Sequence, residues 1–511
     1  MTERSLLPTG APRAAPVPFP PGTGARAALR RAAPLIAVLL VAVFLRFQRL
    51  TATGFNSDEA VYAGTSASLA GDDELGSLFP VFRAHPVLFQ SLVSLALRVH
   101  PGDWAARAVP ALLGVATVAL TYALAHRLYG RRAAVVASLL LAVMPYHVVV
   151  SRQVLLDAPM TLCATGALYC VVRYAESPTP RWLLAAGGML GLTVLAKETS
   201  IVLLGSLYAF FALTPAVRMR WRHLLPALGA VGVVAVAHPL SQLLAGHSKA
   251  GGNYLLWQLF RRANHPYSFY LTEVPWAIGP LAVAAALAGL VWLRRENTWR
   301  ERLLVCWVVV PALFFTVWPV KGFQYLLPAA PVFAVLAGRT LTSFPRVVRL
   351  QRTAAAAAVC VVVASLAVPS WLRTEPPTGT RFLAGTGGLP GGREAGLWVR
   401  EHAPEGARLL AIGPSMANVV QYYGLRPVSA LSVSPDPNRR NPSYRPVPNP
   451  DRALRDGRFQ YLVWDAYTAR RTPFFTAKLR ELVSRYHGDA VFTARNADGV
   501  RVVVIYRVRA S

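Results

Sequence analysis

Charge is what this chain has least of. Only 15% of its 511 residues are charged, where a soluble globular protein carries about 25%. Acids are the scarcer sign: 24 Asp and Glu stand against 53 Lys and Arg, a formal net charge of +29. That excess does not carry a nucleic-acid reading, because most arginines sit in short loops between apolar runs, where the positive-inside rule collects them. Cysteine is scarce too. Cys163, Cys170, Cys306 and Cys360 all lie within apolar runs, so they read as small buried hydrophobes and not as disulfide partners or metal ligands. No G-x-x-x-x-G-K-[ST] run occurs, and no dinucleotide-type glycine motif follows a strand. The chain therefore offers no nucleotide site.

What fills the chain is apolar: 54% of residues are hydrophobic, and they fall in runs of roughly 15–22, the length of a bilayer-spanning helix. The expectation is a multi-pass α-helical membrane protein with eleven spans near 33–50, 104–126, 133–150, 157–174, 182–196, 199–214, 223–243, 275–293, 302–320, 322–339 and 353–371. Residues 1–33, rich in Pro, Ala and Arg, read as a disordered cytoplasmic tail. Arg26, Arg30 and Arg31 ahead of the first span place its N-terminus in the cytoplasm. Residues 85–100 hold an apolar run of only about a dozen residues, which fits an interfacial or re-entrant helix. With that segment outside, every arginine-rich loop falls on the cytoplasmic face and the C-terminus lies outside. The membrane domain is then 34–371, with a first external loop at 51–103 and a long one at 244–274.

The character changes after residue 372. A Pro- and Gly-rich linker (372–392) leads into 393–511, where short apolar strands at 407–413, 459–465, 489–494 and 500–506 alternate with helical stretches at 396–402 and 474–486. This reads as a small extracytoplasmic α/β domain. It has no cysteine, so it must hold by its core alone.

In this topology one face collects the polar groups. Asp58 and Glu59 follow the first span in GFNSDEAVYAG, and a positioned carboxylate can take the proton of an attacking hydroxyl or amine. Their bland alternative is a helix N-terminus, where acids are common. Asp157 sits among apolar residues in VLLDAPMTL, where a lone charge costs about 2.5–3.5 kcal/mol inside a bilayer. Lys197 and Glu198 tip a tight turn between two spans, and Lys321 and Tyr325 fall in another short break, VWPVKGFQYLLPAAP. Each lysine could simply snorkel. Arg46, with Arg49, stands at the outer end of the first span, able to snorkel or to meet a phosphate. His85 precedes a proline, where a plain helix start is the commoner role. The long loop supplies Arg261, Arg262 and His265 among aromatics, which suits an amphipathic substrate or an interfacial belt.

SDEAVYAG, HPVLFQSL, the arginine-flanked RAVPALLGVATVALTYALAHRLYGRRAAVVASLLLAVMP, SRQVLLDAPMTL, GLTVLAKETSIVLL and KGFQYLLPAAPVFAVLAG, taken in that order, resemble the GT-C-type integral-membrane glycosyltransferases. That superfamily contains protein O-mannosyltransferases and lipid A aminoarabinose transferases. The resemblance runs over roughly residues 34–340. It implies a polyprenyl-phosphate sugar as donor and inverting transfer to a protein, lipid or glycan acceptor on the extracytoplasmic face. It also implies Asp58 as base, with Glu59 and Asp157 as catalytic partners. Lys197, Arg261, Arg262, Tyr325, Lys321, His85 and Arg46 would hold the donor phosphate. His265 and Tyr62 are placed with the acceptor or the loop. Two departures stand out: a single Pro after His85, and Ala84 where aminoarabinose transferases can carry an acid near a metal. No metal is assigned and no cofactor is expected with certainty. Partners are the donor lipid, the acceptor and membrane lipids, and not nucleic acid. The competing readings are a flippase for lipid-linked sugars, which would place polar groups at midplane with repeat symmetry, and a non-catalytic cell-envelope assembly protein.

Overall fold

The computed structural model describes residues 23–81, 85–244, 257–261, 263–347, 351–375 and 388–509. Helices α1 (Thr23–Phe47), α2 (Ser57–Ala70), α3 (Asp73–Leu78), α4 (Leu88–Val99), α5 (Asp103–Tyr129), α6 (Arg131–Val143), α7 (Pro145–Val150), α8 (Asp157–Glu176), α9 (Pro180–Ala196), α10 (Val202–Leu213) and α11 (Trp221–Ala235) build the first half. Helix α1 begins well inside the segment expected to be a disordered tail. The Ala- and Arg-rich stretch ahead of Pro34 consists of strong helix formers, and it extends the apolar helix backwards.

Among the described residues three helices are long and apolar enough to cross a membrane: Asp103–Tyr129, Trp221–Leu244 and Thr353–Leu372. The pair Phe269–Ile278 and Pro280–Trp292, bent by 100°, makes a fourth if counted as one span. Leu112, Val233, Leu287 and Val361 point outward from these helices, a surface that is stable against lipid and not against water. The chain is a multi-pass membrane protein.

Several expected spans are broken where the sequence carries a breaker. The 133–150 run parts at Met144, ahead of Pro145. The 275–293 run turns at Gly279, whose φ of 105° suits glycine, with Pro280 opening the next helix. The 322–339 run is a 3-10 turn (Phe323–Leu326) before a helix that starts at Ala329. Residues 85–100 contain only the 12-residue α4, one face buried and Leu95 and Val99 exposed. Of the cysteines, Cys170 and Cys306 are buried, whereas Cys163 is only half-buried and Cys360 faces outward from its apolar helix. A lipid-facing position accepts a small apolar thiol as readily as a core does.

The C-terminal region is a five-stranded mixed sheet in the order β2-β1-β3-β5-β4, with β1 (Leu409–Ala411), β2 (Val428–Ala430), β3 (Tyr461–Asp465), β4 (Asp489–Arg495) and β5 (Arg501–Arg507). Strands β2, β1 and β3 are parallel, and β5 is antiparallel to β3 and β4. The expected strands are present. The short β2 and the helix Pro414–Gly424 between β1 and β2 were not expected.

One face of this sheet packs a core of the domain's own, with Leu410, Ile412, Leu462, Leu479 and Leu482, and the other face shares its core with the first half of the chain. One hydrophobic cluster runs from Phe55, Ala60, Phe79 and Phe89 of the α2–α4 region to Leu409, Val419, Tyr423 and Ile505 of the sheet domain. Polar contacts follow the same seam. The Tyr423 hydroxyl donates to Asp103 (2.6 Å) and accepts from the Phe55 backbone N–H (2.9 Å). Arg393 donates to Asp103 (2.7 Å) and to the Thr51 and Thr53 carbonyls. The loop helices of the first half and the sheet of the last quarter are one packed unit.

Candidate active site

Helix α2 begins with a reciprocal cap. The Asn56 side chain accepts from the Asp58 and Glu59 backbone N–H groups, and the Glu59 carboxylate accepts from the Asn56 N–H. The cap turns the two adjacent acids to opposite sides. Glu59 is fully buried and gripped by Arg107 of α5 through two bonds of 2.8 Å, and it also accepts from the Val154 N–H at 3.1 Å. Asp58 instead lines a cavity of about 410 Å³. Its side chain is exposed into that space. Burial raises its pKa, with Lys197 and His85 pulling the other way and Glu59 adding to the rise.

The cavity lies between the two halves of the chain. Asn56, Ser57 and Asp58 form one side. Tyr325 and Val320 come from the break before the Ala329–Val347 helix, and Trp257, Gln258 and Arg261 from the long loop. The sheet domain closes the remainder with Pro414, Ser415, Ser432, Ser434, Arg439, Arg440, Tyr444 and Tyr467. Asn418 ties that wall to α2, donating to Ser57 Oγ (3.1 Å) and to Tyr444 Oη (3.0 Å).

Beside Asp58 lies a set of buried pairs. Lys197 donates to Asp157 Oδ1 at 2.7 Å, both side chains nearly inaccessible. Lys197 Nζ also stands 4.0 Å from the centre of the Tyr325 ring, a cation–π contact. Glu198 meets His85 Nδ1 at 3.0 Å. Lys197 and Glu198 thus pair with α8 and with the residue ahead of α4, and not with each other. Desolvated charge pairs of this kind are held where geometry is fixed by the surrounding packing.

The remaining expected site residues are spread wider. Tyr62 packs its ring edge-on to His85, 6.1 Å between centroids. His265 stacks on Phe269 and feels Arg471, Lys321 and Arg261; burial with these cations lowers its pKa. Lys321 is buried, its ammonium donating to the Trp318 carbonyl and standing 5.1 Å from the Tyr267 ring centre. Its backbone is clamped on both sides by Asn264. Arg46 is placed differently from the expectation. It is fully buried and donates to Ser151 Oγ and to the Ala42 and Ala142 carbonyls, with His147 Nδ1 at 2.6 Å. Its donors are spent on the α1–α6–α7 junction, and it does not line the cavity. Arg262 and Ala84 lie outside the described residues. Among the described residues no group of three His, Cys, Asp or Glu could hold a metal ion.

Sequence reasoning missed Arg107, the partner that takes Glu59 away from the cavity, and the whole wall contributed by the sheet domain. Arg107 carried a signal: a charge inside the apolar run that begins at Asp103 needs a buried partner. The serines and arginines at 432–440 carried none, since loops after strands are commonly polar.

Residues 84–241 match the model of the dolichyl-phosphate-mannose-protein mannosyltransferase family. The chain is 28% identical over 209 residues to the undecaprenyl phosphate-alpha-4-amino-4-deoxy-L-arabinose arabinosyl transferase of Pectobacterium carotovorum, covering 38% of this chain and 37% of that one. It is 33% identical over 193 residues to transferase 1 of the same description from Sodalis glossinidius, covering 34% and 31%. The matched stretch is thus about a third of these relatives' length. In structure it is similar to ArnT from Cupriavidus metallidurans bound to undecaprenyl phosphate, with a TM-score of 0.69 and 17% identity over 93% of this chain and 98% of that one. It is also similar to the archaeal oligosaccharyltransferase AglB from Archaeoglobus fulgidus, with a TM-score of 0.58 and 15% identity over 94% and 74%. Over nearly its whole length the chain has the fold of these two membrane transferases, and residues 84–241 match the dolichyl-phosphate-mannose-protein mannosyltransferase family model.

Proposed function

We propose that this protein transfers a sugar from a polyprenyl-phosphate donor to an acceptor on the extracytoplasmic face, with inversion at the anomeric carbon. The observation that carries the reading is Asp58: a carboxylate of raised proton affinity, facing a cavity that also presents Arg261 and Tyr325. The curated relatives' description names an undecaprenyl-phosphate sugar, and the similar ArnT structure is bound to undecaprenyl phosphate, which supports the same donor class here.

In the proposed step the acceptor hydroxyl attacks the anomeric carbon from the side opposite the phosphate. The acceptor O–C bond forms as the C–O bond to phosphate breaks, and the electron pair leaves with the polyprenyl phosphate. Asp58 accepts the hydroxyl proton, a role worth about 10²–10⁴ in rate. Arg261 stabilises the charge that develops on the leaving phosphate. The Lys197–Asp157 and His85–Glu198 pairs hold the floor of the site, and Lys197 tempers the proton affinity of Asp58. Tyr325 lines both this cavity and an apolar crevice with Met160, Leu203, Trp307 and Phe315. A head group in the first and a prenyl tail towards the second would pass beside its ring. Within this reading the eleven-span topology has the N-terminus inside and the sheet domain outside.

The test is sugar transfer in membranes with radiolabelled polyprenyl-phosphate sugars, comparing wild type with Asp58→Asn at matched expression. Label should leave the lipid with the wild type and stay on it with the variant. Equal transfer by both would remove Asp58 from the chemistry. Label that changes leaflet without leaving the lipid would favour a flippase.

A further inference from the structure

The carboxyl ends of α1 and of the Thr353–Leu372 helix meet at one junction. Phe44 stacks on Trp371 with 6.0 Å between ring centres, Gln48 donates to Thr374 Oγ1 (3.1 Å), and Arg49 pairs with Glu375. Behind the junction both helices turn apolar side chains outward, Leu40 and Phe44 on one, Val361, Val368 and Leu372 on the other. The junction therefore sits where the acyl region of a membrane gives way to head groups, the level that tryptophans such as Trp371 favour.

A narrow cleft of about 30 Å³ opens there, lined by Arg49, Arg107, Arg152 and Arg373, with Glu375 the one acid among the described residues around it. It shares no lining residue with the Asp58 cavity. The four arginines differ in the donors they have left. Arg107 commits its guanidinium to Glu59 and to the Leu50, Thr53 and Gly54 carbonyls. Arg49 holds Glu375. Arg152 is only 9% exposed, and it donates to the Leu45 carbonyl (2.7 Å) and the Arg49 carbonyl (3.2 Å) without meeting an acid among the described residues. Burial and the neighbouring Arg107 charge lower its pKa to about 10. The Arg373 side chain has no hydrogen bond or ion pair among the described residues, and burial lowers its pKa, with Glu273 pulling the other way. Snorkelling accounts for Arg49 and Arg373, which reach the surface. It does not account for Arg152, a buried cation that lacks a counter-charge and is costly until an anion supplies one.

We infer that this cleft holds the head group of an anionic glycerophospholipid. Arg152, Arg373 and Arg49 receive its phosphate, and its chains lie along Leu40 and Phe44 of α1 and Val368 of the other helix. Basic recesses between membrane helices are suited to such head groups. A space of about 30 Å³ takes two or three water-sized groups, which fits the oxygens of a phosphate and excludes a sugar ring. Phosphate and acyl chains arrive together only in a lipid, and in the topology proposed above that lipid belongs to the outer leaflet. A lipid held there also braces the chain ahead of Asp58. Arg152 holds the Arg49 carbonyl, and Gln153, which lines the cleft, accepts from the side-chain amide of Asn56, the cap of α2 (3.1 Å).

The experiment uses the full-length protein, stripped of lipid in detergent. It is titrated with dioleoyl phosphatidylglycerol, dioleoyl phosphatidylcholine and inorganic phosphate, bound lipid being counted by native mass spectrometry, and undecaprenyl phosphate binding is measured in parallel. Phosphatidylglycerol should bind at least about tenfold more tightly than phosphatidylcholine. Arg49→Gln/Arg373→Gln, both at the surface, should weaken phosphatidylglycerol by about thirtyfold, as expected for two cations at a membrane surface. Arg49→Lys/Arg373→Lys should keep most of the binding. Asp58→Asn should bind phosphatidylglycerol like wild type, and the Gln variant should bind undecaprenyl phosphate like wild type, which also reports that it is folded. The proposal is overturned if phosphatidylcholine binds as tightly as phosphatidylglycerol, or if the Gln variant keeps the full preference. Displacement of phosphatidylglycerol by inorganic phosphate overturns it as well, because the occupant would then be a free anion. Loss of undecaprenyl phosphate by the Gln variant to the same degree overturns it too, assigning the cluster to the donor lipid.

Discussion

A Glu59→Gln variant keeps the shape of the side chain and removes its charge. In the folded protein Glu59 accepts from Arg107 twice, from the Asn56 N–H and from the Val154 N–H. Gln offers one oxygen where two were used, and it turns an NH₂ towards groups that are themselves donors. Removing one partner from a buried ion pair costs about 3–5 kcal/mol, because the other charge is left uncompensated. Arg107 retains its bonds to the Leu50, Thr53 and Gly54 carbonyls, which places the expected loss near the lower end, about 3 kcal/mol. Adding Arg107→Gln should cost less than the sum of the two single changes, by about 2 kcal/mol, the signature of a broken pair. Thermal unfolding in detergent measures both quantities, and sugar transfer is assayed at a temperature where each variant is folded. Glu59→Gln should be much less stable and, once folded, still active. A variant of wild-type stability that transfers no sugar would refute the reasoning and make Glu59 a chemical group.

Three further outcomes are expected. Transfer should fall as pH drops through the raised pKa of Asp58, since the base must be ionised, and Lys197→Met should move that acid limb to higher pH because Lys197 lowers the pKa; a limb that stays put in a pH–rate series separates the two residues. Asp465 is buried at the N-cap after β3, and burial lifts its pKa from 3.8 to about 6 although the Thr468 N–H bonds it. The folded chain therefore takes up a proton between pH 6 and 3.8 that the unfolded chain does not. Stability gains as pH falls through that window and is lost as pH rises to 6; Asp465→Asn should flatten the dependence and raise stability at pH 7 by at most about 3 kcal/mol, read from unfolding midpoints against pH. Residues 393–511 expressed alone should bind a hydrophobic dye and unfold at a lower temperature than the same region in the whole chain, because Val419 and Tyr423 lose Phe55 and Phe79 while the opposite face keeps Leu410, Leu462 and Leu479; a fragment that binds no dye would contradict the shared core.

Of the eleven expected spans, three helices and one bent pair among the described residues are long and apolar enough to cross a membrane; these were legible because long apolar runs have one dominant cause, and the strands β1, β3, β4 and β5 because short apolar runs bounded by turn residues are equally direct. Breaks inside spans were less legible. Gly279 with Pro280 and Met144 with Pro145 carry their signals in one dipeptide, which a hydropathy run averages away. The acids at 58 and 59 were recognised as a unit, but their division of labour was not. It depends on a cap that points one carboxylate at Arg107, 48 residues on, and leaves the other facing a cavity closed by residues beyond 414. Arg46 was misread for the same reason: its partners Ala142, His147 and Ser151 are local only in space.

The seam between the first loop and the sheet domain has a consequence for biosynthesis. The hydroxyl that receives the Phe55 N–H belongs to Tyr423, 368 residues later in the chain. During synthesis α2 emerges early and must wait, its apolar face uncovered, until nearly the whole polypeptide has been threaded and the sheet has formed. Contacts so distant in sequence form late, since their loop-closure entropy is met last. A nascent or truncated chain would therefore hold Asp58 without the opposite wall of its cavity, and competence for the reaction would arrive only with the final segment translated.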